Sequence, residues 1–224
     1  MKTKVLGLVL SLIFSLTTIN ANATIAYSAS APVTGTQINL GSTAISAFLT
    51  NQTFGIATFN GGAIGLASGS DYSGTAAAPA GVTGAFWTIG TSGYNTNYGS
   101  SPLAGSGSIS FSQALSSFTF QWGSPDSYNT VEYFSGNKLL GSFTGSAVPT
   151  GYGNGDRSIS AFATFTTNAL NPITEVKFFS NGNAFETASF SYVALPVPEP
   201  QTYAMLLIGL GLIGFIRFRH KTNA

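Results

Sequence analysis

The chain contains no cysteine, which removes disulfides, thiolate catalysis, iron–sulfur clusters and cysteine zinc sites together. Charge is nearly as scarce: Asp, Glu, Lys and Arg make up 7% of the 224 residues, against about a quarter of an average soluble protein. Histidine occurs once, as His220, behind an apolar run. Serine–histidine and histidine–metal chemistry therefore have no imidazole in the residues before that run. A glycosidase would need two carboxyl groups flanking a sugar, and Asp126 and Glu132, within one turn and strand, fix no such separation. The expectation is a protein that is not an enzyme.

The cations that exist are displaced to the ends. Lys2, Lys4, Arg217, Arg219 and Lys221 lie in the terminal segments. Residues 24–195 hold three cations (Lys138, Arg157, Lys177) against six acids (Asp71, Asp126, Glu132, Asp156, Glu175, Glu186), a net charge of −3. No clustered basic footprint is present for a phosphate backbone, so nucleic acid is not the expected partner.

Both ends carry what the middle lacks. At the start, Lys2 and Lys4 precede an apolar run from Val5 to Leu16 and the small-x-small triplet Ala21-Asn22-Ala23. This is the layout of a secretory signal peptide over residues 1–23, with signal peptidase cutting before Thr24. At the other end, Ala204 to Ile216 is apolar and would cover about 20 Å as a helix, against ~30 Å of hydrocarbon. Arg217, Arg219 and Lys221 follow it as a basic stop, which keeps that end cytoplasmic and leaves residues 24–195 outside. The expectation is a short single transmembrane helix. Gly209-Leu-Gly-Leu-Ile-Gly214 spells a dinucleotide fingerprint, but no strand, helix and downstream acid surround it, so its glycines belong to the apolar run.

Between the ends, short β-type runs alternate with Gly, Ser, Asn, Asp and Pro, and no stretch has a helical period. Alternation is clearest at Phe118, Phe120 and Trp122, with Thr119 and Gln121 on the other face. "YFSGNKLL" reads as a hairpin turning at Gly136-Asn137. The expected fold class is all-β, a single jelly-roll-like antiparallel β-sandwich over 24–195. Residues 62–107 are turn-rich and are expected to supply loops at one end of it.

Two stretches carry resemblances. Val197-Pro198-Glu199-Pro200, followed by the short apolar run and "RFRHK", resembles the PEP-CTERM sorting signal recognised by exosortases in Gram-negative bacteria. That resemblance covers residues 196–224 and implies transient membrane retention, processing near Pro198-Glu199-Pro200 and release to the surface or an exopolysaccharide matrix. Trp122-Gly-Ser-Pro-Asp-Ser-Tyr-Asn129, with Phe185-Glu186 in the last strand, is similar to a group of exosortase-dependent surface proteins. In that group the Phe-Glu strand often continues with an Asp, which Thr187-Ala188-Ser189 does not supply.

Two ligand classes are compatible with these residues. Asp126, Ser127 and Asn129 offer oxygens in one loop for Ca2+, with Glu186 as a second contributor. Counting in twos from Tyr192 and Phe190 through Ala188 puts Glu186 on the apolar face. The alternative is an Asx-turn at Asp126 and a solvated Glu186. Flat rings in or beside loop-like stretches, Trp87 and Tyr152 foremost and also Tyr94, Tyr98 and Tyr128, could stack on sugars. The expected function is a non-catalytic exported surface or matrix protein, associated with exopolysaccharide; the alternative is a carbohydrate-binding module, calcium-dependent or not, delivered by the same route.

Overall fold

The computed structural model describes residues 23–30, 35–42, 49–66, 76–90, 105–149, 160–182, 184–197 and 200–222. Residues 1–22 of the expected leader lie outside them, as do Tyr94, Tyr98, Tyr152, Pro198 and Glu199. The described chain is strand-rich. In order it forms β1 (Thr24–Ser28), β2 (Thr36–Gln37), β3 (Gln52–Phe54), β4 (Ala57–Asn60), β5 (Ala63–Leu66), β6 (Ala85–Ile89), β7 (Gly105–Gly123), β8 (Asn129–Ser135), β9 (Lys138–Thr144), β10 (Ser160–Thr166), β11 (Ile173–Ser180) and β12 (Phe185–Ala194), then one helix, α1 (Pro200–Thr222).

All twelve strands belong to one antiparallel sheet, whose main path runs β5-β6-β12-β7-β11-β8-β9. The all-β class expected from the sequence is what the chain adopts. The pairing does not establish two separate sheets or a jelly-roll order, because β7 belongs to both halves of the structure. Its first part pairs with β4 and β11, and its second part with β10 and β12. Between them the register against β11 jumps from Ser110↔Glu175 to Leu115↔Ile173, so several residues of β7 have no counterpart on β11. The strand doubles back there. Phe111 and Phe118 are seven residues apart, which a straight strand would stretch to roughly 23 Å, yet their ring centroids are 5.3 Å apart.

This reversal brings the two halves of the sheet face to face around aromatic rings. Phe120 meets Phe178 of β11 at 5.2 Å and Tyr133 stacks on Phe165 at 4.1 Å, while within one half Trp122 stacks on Phe185 of the adjacent β12 at 4.7 Å. The alternation anticipated at Phe118, Phe120 and Trp122 holds, and all three are fully buried. Thr119 and Gln121 do face the other way, but they too are buried. The segment 76–82 covers that second face with a small cluster of Ala76, Phe86, Ala184 and Ala188, against which Ala78 and Val82 pack. Opposite Glu186 the sheet presents Gly123, where a β-carbon would approach Pro79 Cγ to 2.9 Å. Only glycine lets the covering segment lie this close.

Local chemistry explains the turns. β8 and β9 join through Gly136-Asn137 with Ser135 opposite Lys138, and Gly136 takes the positive φ of 55° that glycine tolerates without steric cost. Gly55 at φ 62° turns β3 into β4. Thr24–Ser28 pairs along its whole length with β10 and packs Ile25 and Tyr27 against the core.

Two tyrosine hydroxyls, of Tyr27 and Tyr133, are buried and have no hydrogen-bond partner among the described residues. Burial pushes the Tyr27 phenol up to about 12. Burial, and secondarily the neighbouring Tyr27, hold Tyr133 well above its ordinary value. A raised folded-state pKa favours the protonated phenol in the fold, so this stability is complete below about pH 10 and is lost as pH climbs toward 12. Alkaline titration followed by tyrosinate absorbance should give a late, cooperative phase coincident with unfolding. Tyr133→Phe removes an unsatisfied polar atom, which costs about 1–3 kcal/mol when buried, and should move the transition to higher pH. A titration with only free-phenol behaviour near pH 10 would contradict this burial. Truncating the central ring, Phe178→Ala, is expected to cost about 3–5 kcal/mol in urea denaturation.

Candidate functional site

The residues singled out from the sequence fall into two places: the turn between β7 and β8, and the tail after β12. At the turn, the chain leaves the core at Trp122, and Ser124 takes a positive φ of 38°. Asp126 closes the turn, its carbonyl accepting the Asn129 N–H at 3.0 Å and its Oδ2 accepting the Tyr128 hydroxyl at 2.8 Å. Asn129 is fully buried. Its Oδ1 accepts the Ser180 hydroxyl at 2.6 Å, and its Nδ2 donates to the Ala184 carbonyl at 3.2 Å. One amide thus ties β8 to the end of β11 and the start of β12.

The Phe-Glu pair arrives at the same place. Phe185 stacks on Trp122, and Glu186 lies opposite Gly123 in the register. The two quoted stretches, more than fifty residues apart in the chain, form one packed unit. Their side chains do different jobs, however, because they occupy opposite faces. Phe185 joins the main aromatic core, while Glu186 sits under the covering segment with Oε1 accepting the Ala77 N–H at 3.0 Å.

This corrects the face assigned to Glu186 by counting in twos. Between Ala188↔Gln121 and Ser191↔Thr119 the register of β12 gains one residue. Ser189 takes φ 50° at that point, and a bulge of one residue reverses the side-chain alternation. Phe190 therefore shares its face with Phe185 and not with Glu186. The bulge is pinned by Gln121, whose Oε1 accepts the Ser189 hydroxyl at 2.9 Å while Nε2 donates to the Ala80 carbonyl at 2.7 Å and to Ser160 Oγ at 2.8 Å. Sequence reading missed Gln121 as an organising residue. Its signal was a glutamine between Phe120 and Trp122 in an otherwise aromatic and threonine strand.

The calcium candidates Asp126, Asn129 and Glu186 each make hydrogen bonds within the fold. Among the described residues no group of three or more His, Cys, Asp or Glu side chains is placed to hold a metal ion. Both polar ends of Asn129 are committed to the fold, and Glu186 serves the covering segment. Trp87 is likewise a core residue and not a surface platform: it is fully buried, donates Nε1–H to the Gly61 carbonyl at 2.9 Å, and packs edge-on against Phe59 and Phe178. "AFWTIG" is a strand buried on both faces, so its indole presents no ring to a sugar. Tyr152, the other stacking candidate, lies outside the described residues.

The tail begins where sheet pairing stops. Leu195 donates its N–H to the Ala114 carbonyl at 2.8 Å. Pro196, Pro198 and Pro200 then alternate, and without amide hydrogens they cannot extend the ladder. Pro196 and Val197 are exposed. α1 starts at Pro200, where proline suits the first helical turn, and runs 23 residues. Its described side chains from Ala204 to Gly214 are exposed, apart from half-buried Gly209, and Arg217 is exposed beyond them. Among the described residues no helix is long and apolar enough to cross a membrane. The PEP-CTERM protein-sorting motif matches residues 196–221. That motif indicates exosortase-dependent sorting of an exported protein, held at the membrane before surface release. No curated protein and no solved structure is significantly similar to the chain.

Because Asn129 is a structural tie, Asn129→Ala should lower stability by about 1–3 kcal/mol, leaving the Ser180 hydroxyl and Ala184 carbonyl unsatisfied. Saturating Ca2+ should leave the melting temperature of the wild-type chain unchanged. A calcium-dependent rise that Asp126→Ala abolishes would establish a metal site at this turn.

Proposed function

We propose that this chain is a non-catalytic surface or extracellular-matrix protein, active outside the cell beside exopolysaccharide once both ends have been removed. Signal peptidase takes off residues 1–23, an exosortase acts near Pro198-Glu199-Pro200, and the all-β domain over 24–195 is the lasting product. In this scheme α1 enters the membrane only transiently, with Arg217, Arg219 and Lys221 as the stop on the cytoplasmic side. A span of 13 apolar residues, Ala204 to Ile216, suits a handle held until processing better than a permanent anchor, which needs about 20.

The observation that carries the reading is the separation at Leu195. Leu195 makes the last sheet hydrogen bond of β12 among the described residues, and Pro196 and Val197 after it join no strand. Cutting beyond them would remove no part of the sheet. A non-catalytic role is supported by the engagement of Asn129, Glu186 and Trp87 in packing, and by the lack of histidine before His220. Intact-mass analysis of the exported protein, in a strain whose exosortase is active, should find a chain beginning at Thr24 and ending before residue 201. Recovery of the product with residues 201–224 still attached would reject the scheme.

A further inference from the structure

The described residues of the sheet domain and linker leave four large apolar side chains exposed, and all four lie at one pole. They are Leu139 (49% exposed), Leu170 (75%), Val193 (39%) and Val197 (68%). Leu170 is in the turn from β10 to β11, whose Thr167 N–H donates to the Ser116 carbonyl. Val193 lies opposite Ser117, and its carbonyl accepts the Ser116 hydroxyl at 3.2 Å. Leu139 follows the hairpin at Gly136, which is tied to the same end by Gly136 N–H to Thr174 Oγ1 at 2.8 Å and by Lys138 Nζ to Asn171 Oδ1 at 2.7 Å. This is the pole where β7 reverses and from which the tail leaves, Leu195 being bonded to Ala114.

Exposed leucines scattered singly over a surface need no explanation, whereas their collection at one end does. The tail supplies one. Pro200, the first residue of α1, is five positions beyond Leu195, a reach of at most about 18 Å, and four helical steps from it lead to the apolar run at Ala204 with about 6 Å of rise. Each headgroup layer is itself only about 5–8 Å thick. A helix in the bilayer would therefore tether the domain by this pole, at most about 24 Å from the hydrocarbon boundary, close enough for the pole to rest on the membrane surface.

We infer that this pole is a lipid-docking surface: while the tail is anchored, Leu170 and Leu139 rest in the interfacial layer of the outer face of the membrane. The inference depends on the transient anchoring described above. Seating the pole on lipid would orient the proline-interrupted linker at headgroup level, where a membrane-embedded processing enzyme can reach it.

The absence of cysteine permits a direct test on the full chain, reconstituted in phosphatidylethanolamine–phosphatidylglycerol vesicles. Single-cysteine variants Leu170→Cys, Leu139→Cys, Ser127→Cys at the opposite pole and Leu210→Cys in α1 are labelled with an environment-sensitive fluorophore. Blue-shifted emission at 170, 139 and 210, with an aqueous spectrum at 127, is the expected result. An apolar signal at 210 with aqueous spectra at both 170 and 139 overturns the docking surface and leaves anchoring intact. An aqueous signal at 210 removes anchoring, and this inference with it. A blue shift at 170 that fades on protein dilution at constant lipid identifies a second copy as the occupant and overturns the assignment to lipid.

Discussion

The structure depends on the reversal of β7. A 19-residue strand that ran straight would expose one face of a wide sheet to water. By doubling back near Phe111 it sets Phe118 and Phe120 against Phe111 and Phe178 of the other half of the sheet. Phe178 is the meeting point, packing against Phe120, Trp87 and Phe185 from three directions. With no disulfide, and with the Lys177–Glu175 ion pair at 3.5 Å lying on the surface, ring burial supplies most of the cohesion. Exposed ion pairs of that kind add about 0–1 kcal/mol, less than the burial of any one of these aromatics.

The second level of organisation grows from the first. Once Trp122 is fixed in the core, the chain must turn sharply to start β8, and Asp126, Tyr128 and Asn129 satisfy that turn from within. Phe185 closes over Trp122, which places Glu186 and Ala188 on the outer face under Ala76 to Val82. Asn129, Gln121 and Glu186 thereby act as polar supports of a loop-covered sheet. Their polarity is used locally, since a buried amide or carboxylate left without partners would be costly.

How much of this was legible follows from the range of each interaction. Local patterns were readable: the alternation at Phe118 to Trp122, the two-residue turn at Gly136-Asn137, and the proline-punctuated apolar tail. Period-two counting failed at β12 because the bulge at Ser189 is set by Gln121, nearly seventy residues earlier, and serine carries no mark of a positive φ. Trp87 was misjudged through its glycine-rich neighbourhood, although Phe86 and Ile89 beside it already described a strand buried on both faces. The continuity of β7 through Ser112 and Gln113 was hidden because polar residues at a reversal look like a loop.

The tail stands apart from these dependencies. Among the described residues no sheet hydrogen bond reaches beyond Leu195, so the domain should be thermodynamically complete without its sorting segment. Comparing urea unfolding of the detergent-solubilised precursor with that of the exosortase-released product, monitored by the near-ultraviolet signal of Trp87 and Trp122, tests this most directly. Coincident midpoints and slopes are what the account predicts. A released product that unfolds at markedly lower urea, or without cooperativity, would mean that the tail belongs to the fold and is not a removable handle.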